Sequence, residues 1–252
     1  MKILLITQED PIYVSEFWDE FVSRQDELKS HNIEIEALVS LEPLGKSKKK
    51  DLFKRIYGMY GLAGTAKIAM KYLKARKNKR DIKYYAEKMG VRFINRPKIH
   101  SEEFLRIAGN TDIIVSAAAS RRFKKKLLEA PRIGCVNIHS GPLPKYQGMM
   151  PVFWQLKDGK ETIGITIFKM NEELDAGEIL VQRYVDVSDC RTLDAAIRKT
   201  KKAGAAMMLD LLCNFEKFSN DQKSSNESEA TYFTFPDRKA VKEFLKTGRR
   251  LI

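Results

Sequence analysis

The opening of the chain constrains its architecture most tightly. Residues 2–7 are a short apolar run that reads as a buried strand, residues 15–27 carry apolar side chains at helical spacing, and residues 32–39 alternate as a second strand does. Strand, helix and strand joined by short connections make a β-α-β unit, which packs as part of a parallel sheet. The pattern continues with a helix over 81–90 ended by Gly90, a strand over 91–94, a helix opened by the capping residue Ser101, and a strand over 112–116. Residues 134–138 form another buried strand, and 151–156 a short helix with Pro151 in its first turn. Residues 162–169 and 179–187 suit a hairpin-like pair joined through Leu174-Asp175-Ala176-Gly177, and 192–218 one long helix with small residues Ala203 to Ala206. The expected fold is α/β, a doubly wound, Rossmann-like and mostly parallel sheet. No internal repeat is visible.

At 252 residues the chain suits one large domain with at most a small appendage. Residues 1–218 are expected to form the main domain, with a basic helical insertion over 41–80. Residues 219–252 are expected to be a polar, mobile linker followed by a short C-terminal extension, in which Tyr232-Phe233-Thr234-Phe235-Pro236 docks and 237–247 is helical. Cys135, Cys190 and Cys213 cannot all pair, and no signal peptide precedes residues 2–6, so a reducing cytoplasm is expected. No apolar run approaches the roughly 20 residues that span a bilayer, so no transmembrane segment is expected. No His, Cys, Asp and Glu cluster has ligand spacing, so no metal is expected. The net charge of +13 favours an anionic partner.

Residues 41–80 are the most individual part. Gly45-Lys46-Ser47-Lys48-Lys49-Lys50 leads into an expected long helix with Phe53, Ile56, Tyr57, Tyr60, Ile68, Met70, Tyr72 and Leu73, interleaved with Lys54, Arg55, Lys67, Lys71, Lys74, Arg76, Lys77, Lys79 and Arg80. Four readings compete: contact with RNA phosphates such as those of tRNA, contact of 51–79 with a membrane surface, a guide for an anionic sugar nucleotide, and a packed helix with solvated lysines.

The strand over 134–138 ends in a loop punctuated by Gly141, Pro142, Pro144 and Gly148. Strand residues two apart share a face, so Asn137 and His139 project together at the carboxyl end, where open α/β sheets bind ligands. An amide N–H can hold a developing oxyanion and an imidazole can move a proton near neutral pH. Taken singly, each residue also has a plain role: His139 as a satisfied loop histidine, Asn137 and Asp175 as turn formers. His31 and His100 have no motif around them. The turn Gln8-Glu9-Asp10-Pro11 lacks a G-x-G-x-x-G fingerprint or P-loop, and Ser140 lacks a G-x-S-x-G elbow.

Asn137-x-His139-x-x-x-Leu143-Pro144-x-x-x-Gly148, followed by Met170-x-x-x-Leu174-Asp175-x-Gly177-x-Ile179-Leu180, resembles the two-part signature of the folate-dependent formyltransferases. The resemblance runs from about Asp112 to Asp186 and more loosely back to Met1. It implies 10-formyltetrahydrofolate as co-substrate and a primary amine as acceptor. It also implies that Asn137 binds the formyl oxygen, His139 assists proton movement and Asp175 orients His139 or a water. Ser116, Ala117, Ala118 and Ala119 would line the folate pocket, with Leu143, Pro144, Gly148 and Leu174 shaping its wall. The glycinamide ribonucleotide branch has a glycine-bearing phosphate loop where this chain has residues 8–11. An amino-sugar nucleotide is the leading acceptor. Alternatives are a methionyl-tRNA formyltransferase-like enzyme without its C-terminal barrel, a formyltetrahydrofolate hydrolase, and a non-catalytic RNA or membrane-surface binder on the same fold.

Overall fold

The structure is a computed structural model that describes residues 1–42, 49–78, 80–220 and 227–252. β1 (Lys2–Gln8), β2 (Glu34–Leu41), β3 (Arg92–Asn95), β4 (Ile113–Ala117) and β5 (Gly134–His139) run parallel. The two-residue β6 (Gln147–Gly148) lies outside this sheet. β7 (Thr162–Lys169) and β8 (Glu178–Asp186) complete it as an antiparallel hairpin, giving the order β3-β2-β1-β4-β5-β7-β8. This is the doubly wound, mostly parallel arrangement expected, with strand order reversing between β1 and β4.

Helices cover both faces because alternate strand residues point opposite ways. Ile3 and Leu5 share a core with Phe17, Trp18 and Phe21 of α1 (Val14–Ser23), with Leu28 of α2 (Asp26–Ser30), and with Met208 and Leu212 farther along. Leu4 and Ile6 face the other side, against Phe104 and Ala108. α3 (Lys49–Lys77) bends at Gly61, whose φ of 63° is left-handed. α4 (Ile82–Met89) begins at Asp81, whose carboxylate accepts from Tyr84 N at 2.9 Å, and ends at left-handed Gly90. α5 (Glu102–Gly109) is capped by Ser101, and α6 (Lys125–Leu128) precedes β5.

The sheet's far end carries a third core. α7 (Pro151–Lys157) supplies Val152, Phe153 and Leu156, and α8 (Leu193–Cys213) supplies Leu193, Ala196 and Ile197. α9 (Phe215–Asn220) follows α8, and Glu227–Glu229 form a single turn. β9 (Tyr232–Phe233) then pairs with β6, and α10 (Arg238–Lys246) lays Phe244 on Phe153 with ring centroids 5.1 Å apart. Met59 of α3 is buried in the same cluster.

Three expected helices differ. The helix over 15–27 divides into α1 and α2 where Arg24 N and Gln25 N bond three residues back, tightening the turn. The helix over 192–218 divides at Asn214, whose side-chain amide donates to Asp210 O at 3.0 Å and competes with the ladder. The basic helix spans 49–77 with a bend. Residues 45–48 of the basic run, Lys79, and residues 221–226 of the expected linker lie outside the described residues.

Candidate functional site

A cavity of about 460 Å³ opens at the carboxyl ends of β1, β4 and β5, at the point where strand order reverses. Gln8 comes from β1, Ser116 from β4, and Asn137 and His139 from β5. The β7–β8 hairpin turn brings Leu174 and Asp175 across the opening. The cavity thus unites side chains from four segments that are far apart in sequence.

His139 is buried, and its Nε2–H donates to the carbonyl oxygen of Tyr146 at 2.7 Å. That bond turns Nδ1 toward Asp175, whose Oδ2 lies 3.7 Å away. Asp175 is itself held: Oδ2 accepts from Gly148 N at 2.9 Å, and its carbonyl accepts from Gln147 Nε2 at 3.0 Å. Asn137 is half-buried, and its amide makes no hydrogen bond with any described residue. Its donors remain available to a ligand.

The loop after β5 is fixed by buried polar side chains. Thr166 Oγ1 donates to Gly141 O at 2.7 Å, Leu143 N donates to Thr166 Oγ1 at 3.1 Å, and Gln155 Nε2 donates to Ser140 O at 2.9 Å. A Cβ at Gly141 would lie 2.8 Å from the His139 ring and 3.0 Å from Tyr146 O, so glycine there leaves room for the imidazole to reach its partner. The Leu143-Pro144 peptide bond is cis. Of the six non-glycine residues with left-handed φ among the described residues, Ala118, Met150 and Asp175 line the cavity and Tyr146 supplies its carbonyl. Such backbone costs about 1–3 kcal/mol per residue and concentrates where a site requires it.

Ser116, Ala118, Ala119, Gly148 and Leu174 reach the cavity with Asn137, His139 and Asp175. Ala117, Leu143 and Pro144 do not line it. Ala117 O accepts from Thr7 Oγ1 at 2.7 Å between β1 and β4, while Leu143 is buried beneath the loop, with its carbonyl accepting from Gln182 Nε2 at 3.0 Å. Ser116 Oγ is the one fully buried side-chain polar atom without a partner among the described residues. An orphaned hydroxyl beside the small side chains of Ala118 and Ala119 fits the polar edge of a flat ligand such as a folate.

Several lining residues escaped the sequence reading. Lys201 on α8 faces the cavity with Asp10 and Tyr13. Burial lowers the Lys201 pKa from the usual lysine value, opposed by the Asp10 carboxylate. Burial, then the neighbouring Tyr60 and Asp194, push the Tyr13 phenol far up, and its hydroxyl donates to Asp194 Oδ1 at 3.1 Å. Lys201 makes no hydrogen bond or ion pair with a described residue. Its helical position gives no signal, because only the packing of α8 over β5 turns it inward.

Elsewhere, His31 and His100 are exposed and hydrogen-bonded to the carbonyls of Glu27 and Arg122, and the three cysteines are free. Burial pushes the Cys135 thiol up to about 12, which leaves it a poor nucleophile. Among the described residues no cluster of three metal-binding side chains occurs, and no helix is long and apolar enough to cross a membrane.

The fold and cavity define an α/β protein with an amide, an imidazole and a carboxylate converging at the switch point of the sheet. The chain belongs to the formyl transferase family, whose pattern it matches over residues 63–212. It is 35% identical to the methionyl-tRNA formyltransferase of Thermotoga maritima over 153 residues, covering 60% of this chain and 49% of that protein. It therefore spans about half the length of that relative. Solved structures of similar fold include a sugar N-formyltransferase from Shewanella sp FDAARGOS_354, with a TM-score of 0.57 and 19% identity, covering 93% of this chain and 76% of that one. Another is glycinamide ribonucleotide transformylase 1 from Geobacillus kaustophilus, with a TM-score of 0.59 and 17% identity, covering 85% of this chain and 97% of that one.

Proposed function

We propose that the protein transfers a formyl group from 10-formyltetrahydrofolate to the primary amine of an anionic acceptor, an amino-sugar nucleotide. The observation that carries the reading is the meeting of Asn137, His139 and Asp175 in one cavity. The folate supplies the formyl group when bound. Ser116, Ala118 and Ala119 on one side, and Leu174 and Gly148 on the other, would hold it.

The chain's own residues serve the two needs of acyl transfer. The free Asn137 amide stabilises the oxygen of the attacked carbonyl as it gains charge. His139, with Nε2–H committed to Tyr146 O, offers Nδ1 for a proton beside the Asp175 carboxylate. The 3.7 Å spacing is longer than a hydrogen bond, and closes by a small shift when the reactants are seated. The amine loses its proton as the new C–N bond forms, and the folate nitrogen takes one up as the old bond breaks. His139 and Asp175 are placed to handle that exchange. Lys201, unpaired at the cavity wall, would be held protonated by an acceptor phosphate seated beside it, which offsets the burial that disfavours its charged form.

A second acceptor is supported by the 35% identity to a methionyl-tRNA formyltransferase. Tetrahydrofolate release from 10-formyltetrahydrofolate, measured with amino-sugar nucleotides and with charged initiator tRNA, separates the two. Release with the sugar nucleotide alone supports the proposal, and release with charged tRNA alone replaces the acceptor. Release without acceptor indicates a hydrolase, and no release under any condition contradicts the reaction.

A further inference from the structure

α3 turns its hydrophobic side chains outward. Beyond the bend at Gly61, Leu62, Ala66, Ala69, Met70 and Leu73 recur at i, i+4, i+7, i+8 and i+11, which places them on one helix face. That face looks away from the protein: Leu62 is 78% exposed, Met70 62% and Leu73 66%. The half-buried residues Gly64, Ile68, Lys71 and Ala75 recur on the opposite face. Lys71 anchors that face through an ion pair with Asp194 at 2.8 Å. Before the bend, Met59 is buried in the core, while Phe53 and Tyr57 are exposed and stack with centroids 6.3 Å apart.

Cations flank the apolar stripe. Lys67 and Lys74 lie along one side of it and Arg76 along the other, with Lys54 and Arg55 beside the aromatic pair. Asp51 is the only acidic residue of the helix. Lys54, Arg55, Lys67, Lys74 and Lys77 make no ion pair with a described residue. An apolar stripe at the outermost point of a helix, bordered by unpaired cations, suits the boundary between anionic headgroups and acyl chains.

We infer that α3 docks the protein on an anionic phospholipid surface, with Leu62, Met70 and Leu73 inserted and Lys67, Lys74 and Arg76 at the headgroups. The inference is independent of the reaction proposed above. Charge complementarity selects this occupant over a second copy of the chain, because two such faces brought together would oppose cation to cation. It also selects lipid over nucleic acid, since phosphate contact gives no use for a leucine and methionine ridge.

The test floats the full chain with vesicles of phosphatidylcholine alone and with vesicles that include phosphatidylglycerol. Capture by the anionic vesicles is expected, falling as NaCl is raised. Combining Leu62→Ser, Met70→Ser and Leu73→Ser should weaken capture about a hundredfold or more. Lys67→Glu with Lys74→Glu should weaken it about tenfold or more. Circular dichroism should match the unaltered chain in both variants, since all five side chains point into solvent. Absence of capture, or capture unchanged by the serine variant, overturns the inference. So does a dimer in light scattering that the serine variant converts to monomer, or salt-sensitive binding of RNA with none of vesicles.

Discussion

The His139 imidazole is held between two elements: Nε2 donates to Tyr146 O at 2.7 Å, and Nδ1 faces Asp175 Oδ2 at 3.7 Å. The first contact comes from the loop after β5 and the second from the turn of the β7–β8 hairpin. Ring orientation therefore depends on two pieces of chain that meet only in the folded state.

Replacing Asp175 separates its chemistry from its structural role. Asn tolerates the left-handed φ of 52° and keeps an acceptor for Gly148 N, so Asp175→Asn should fold as the parent does. Turnover should fall about a hundredfold to ten-thousandfold, the range for loss of a proton-transfer partner. Steady-state kinetics alongside thermal melting checks both halves.

Gly141→Ala should damage the site more than the fold. The added methyl would press on the imidazole at 2.8 Å and on Tyr146 O at 3.0 Å. Overpacking of this kind costs about 1–3 kcal/mol, and displacement of His139 should lower kcat by at least about tenfold. Urea unfolding and kcat measured together report each effect.

Lys201→Met should act on the acceptor. Removing an amine that a bound phosphate would keep protonated should raise KM for a phosphate-bearing acceptor about tenfold or more and leave KM for the folate little changed. Equal effects on both substrates would place Lys201 in general packing instead.

The C-terminal helix should be part of the cooperative fold. Phe244 is fully buried and stacks on Phe153, so Phe244→Ala should cost about 3–5 kcal/mol. Chemical denaturation followed by near-ultraviolet circular dichroism measures the loss.

Acid sensitivity should include Asp112. Its carboxylate accepts from Lys2 N at 2.7 Å and from Arg132 Nε at 2.6 Å, and these hold its pKa below the usual 3.8. A carboxyl whose folded pKa is lowered binds its proton more readily when unfolded. Its contribution is therefore present above pH 3.8 and disappears as pH falls through the lowered folded value. Asp112→Asn should flatten that acid limb of the stability profile.

Much of the fold was legible because each strand is an apolar run between turn-forming residues, and β1 to β5 follow those runs closely. Strand spacing put Asn137 and His139 on one face, whereas Asp175 was singled out only by the resemblance of its motif, and all three line one cavity. Lys201 and Tyr13 were not legible, because their approach to the cavity depends on how α8 and α1 lie over the sheet. Leu143, expected to wall the pocket, is instead buried and held by Thr166 and Gln182, contacts that join residues far apart in sequence, and Pro144 lies outside the cavity lining beside it. The breaks at Arg24 and Asn214 carry no Gly or Pro to announce them.

The most direct test is mass spectrometry of an amino-sugar nucleotide incubated with the protein and 10-formyltetrahydrofolate. The account predicts replacement of one amine hydrogen by a formyl group, absent with Asn137→Ala or His139→Ala while both variants remain folded. An unmodified acceptor across the amino-sugar nucleotides, or equal modification by both variants, would contradict it.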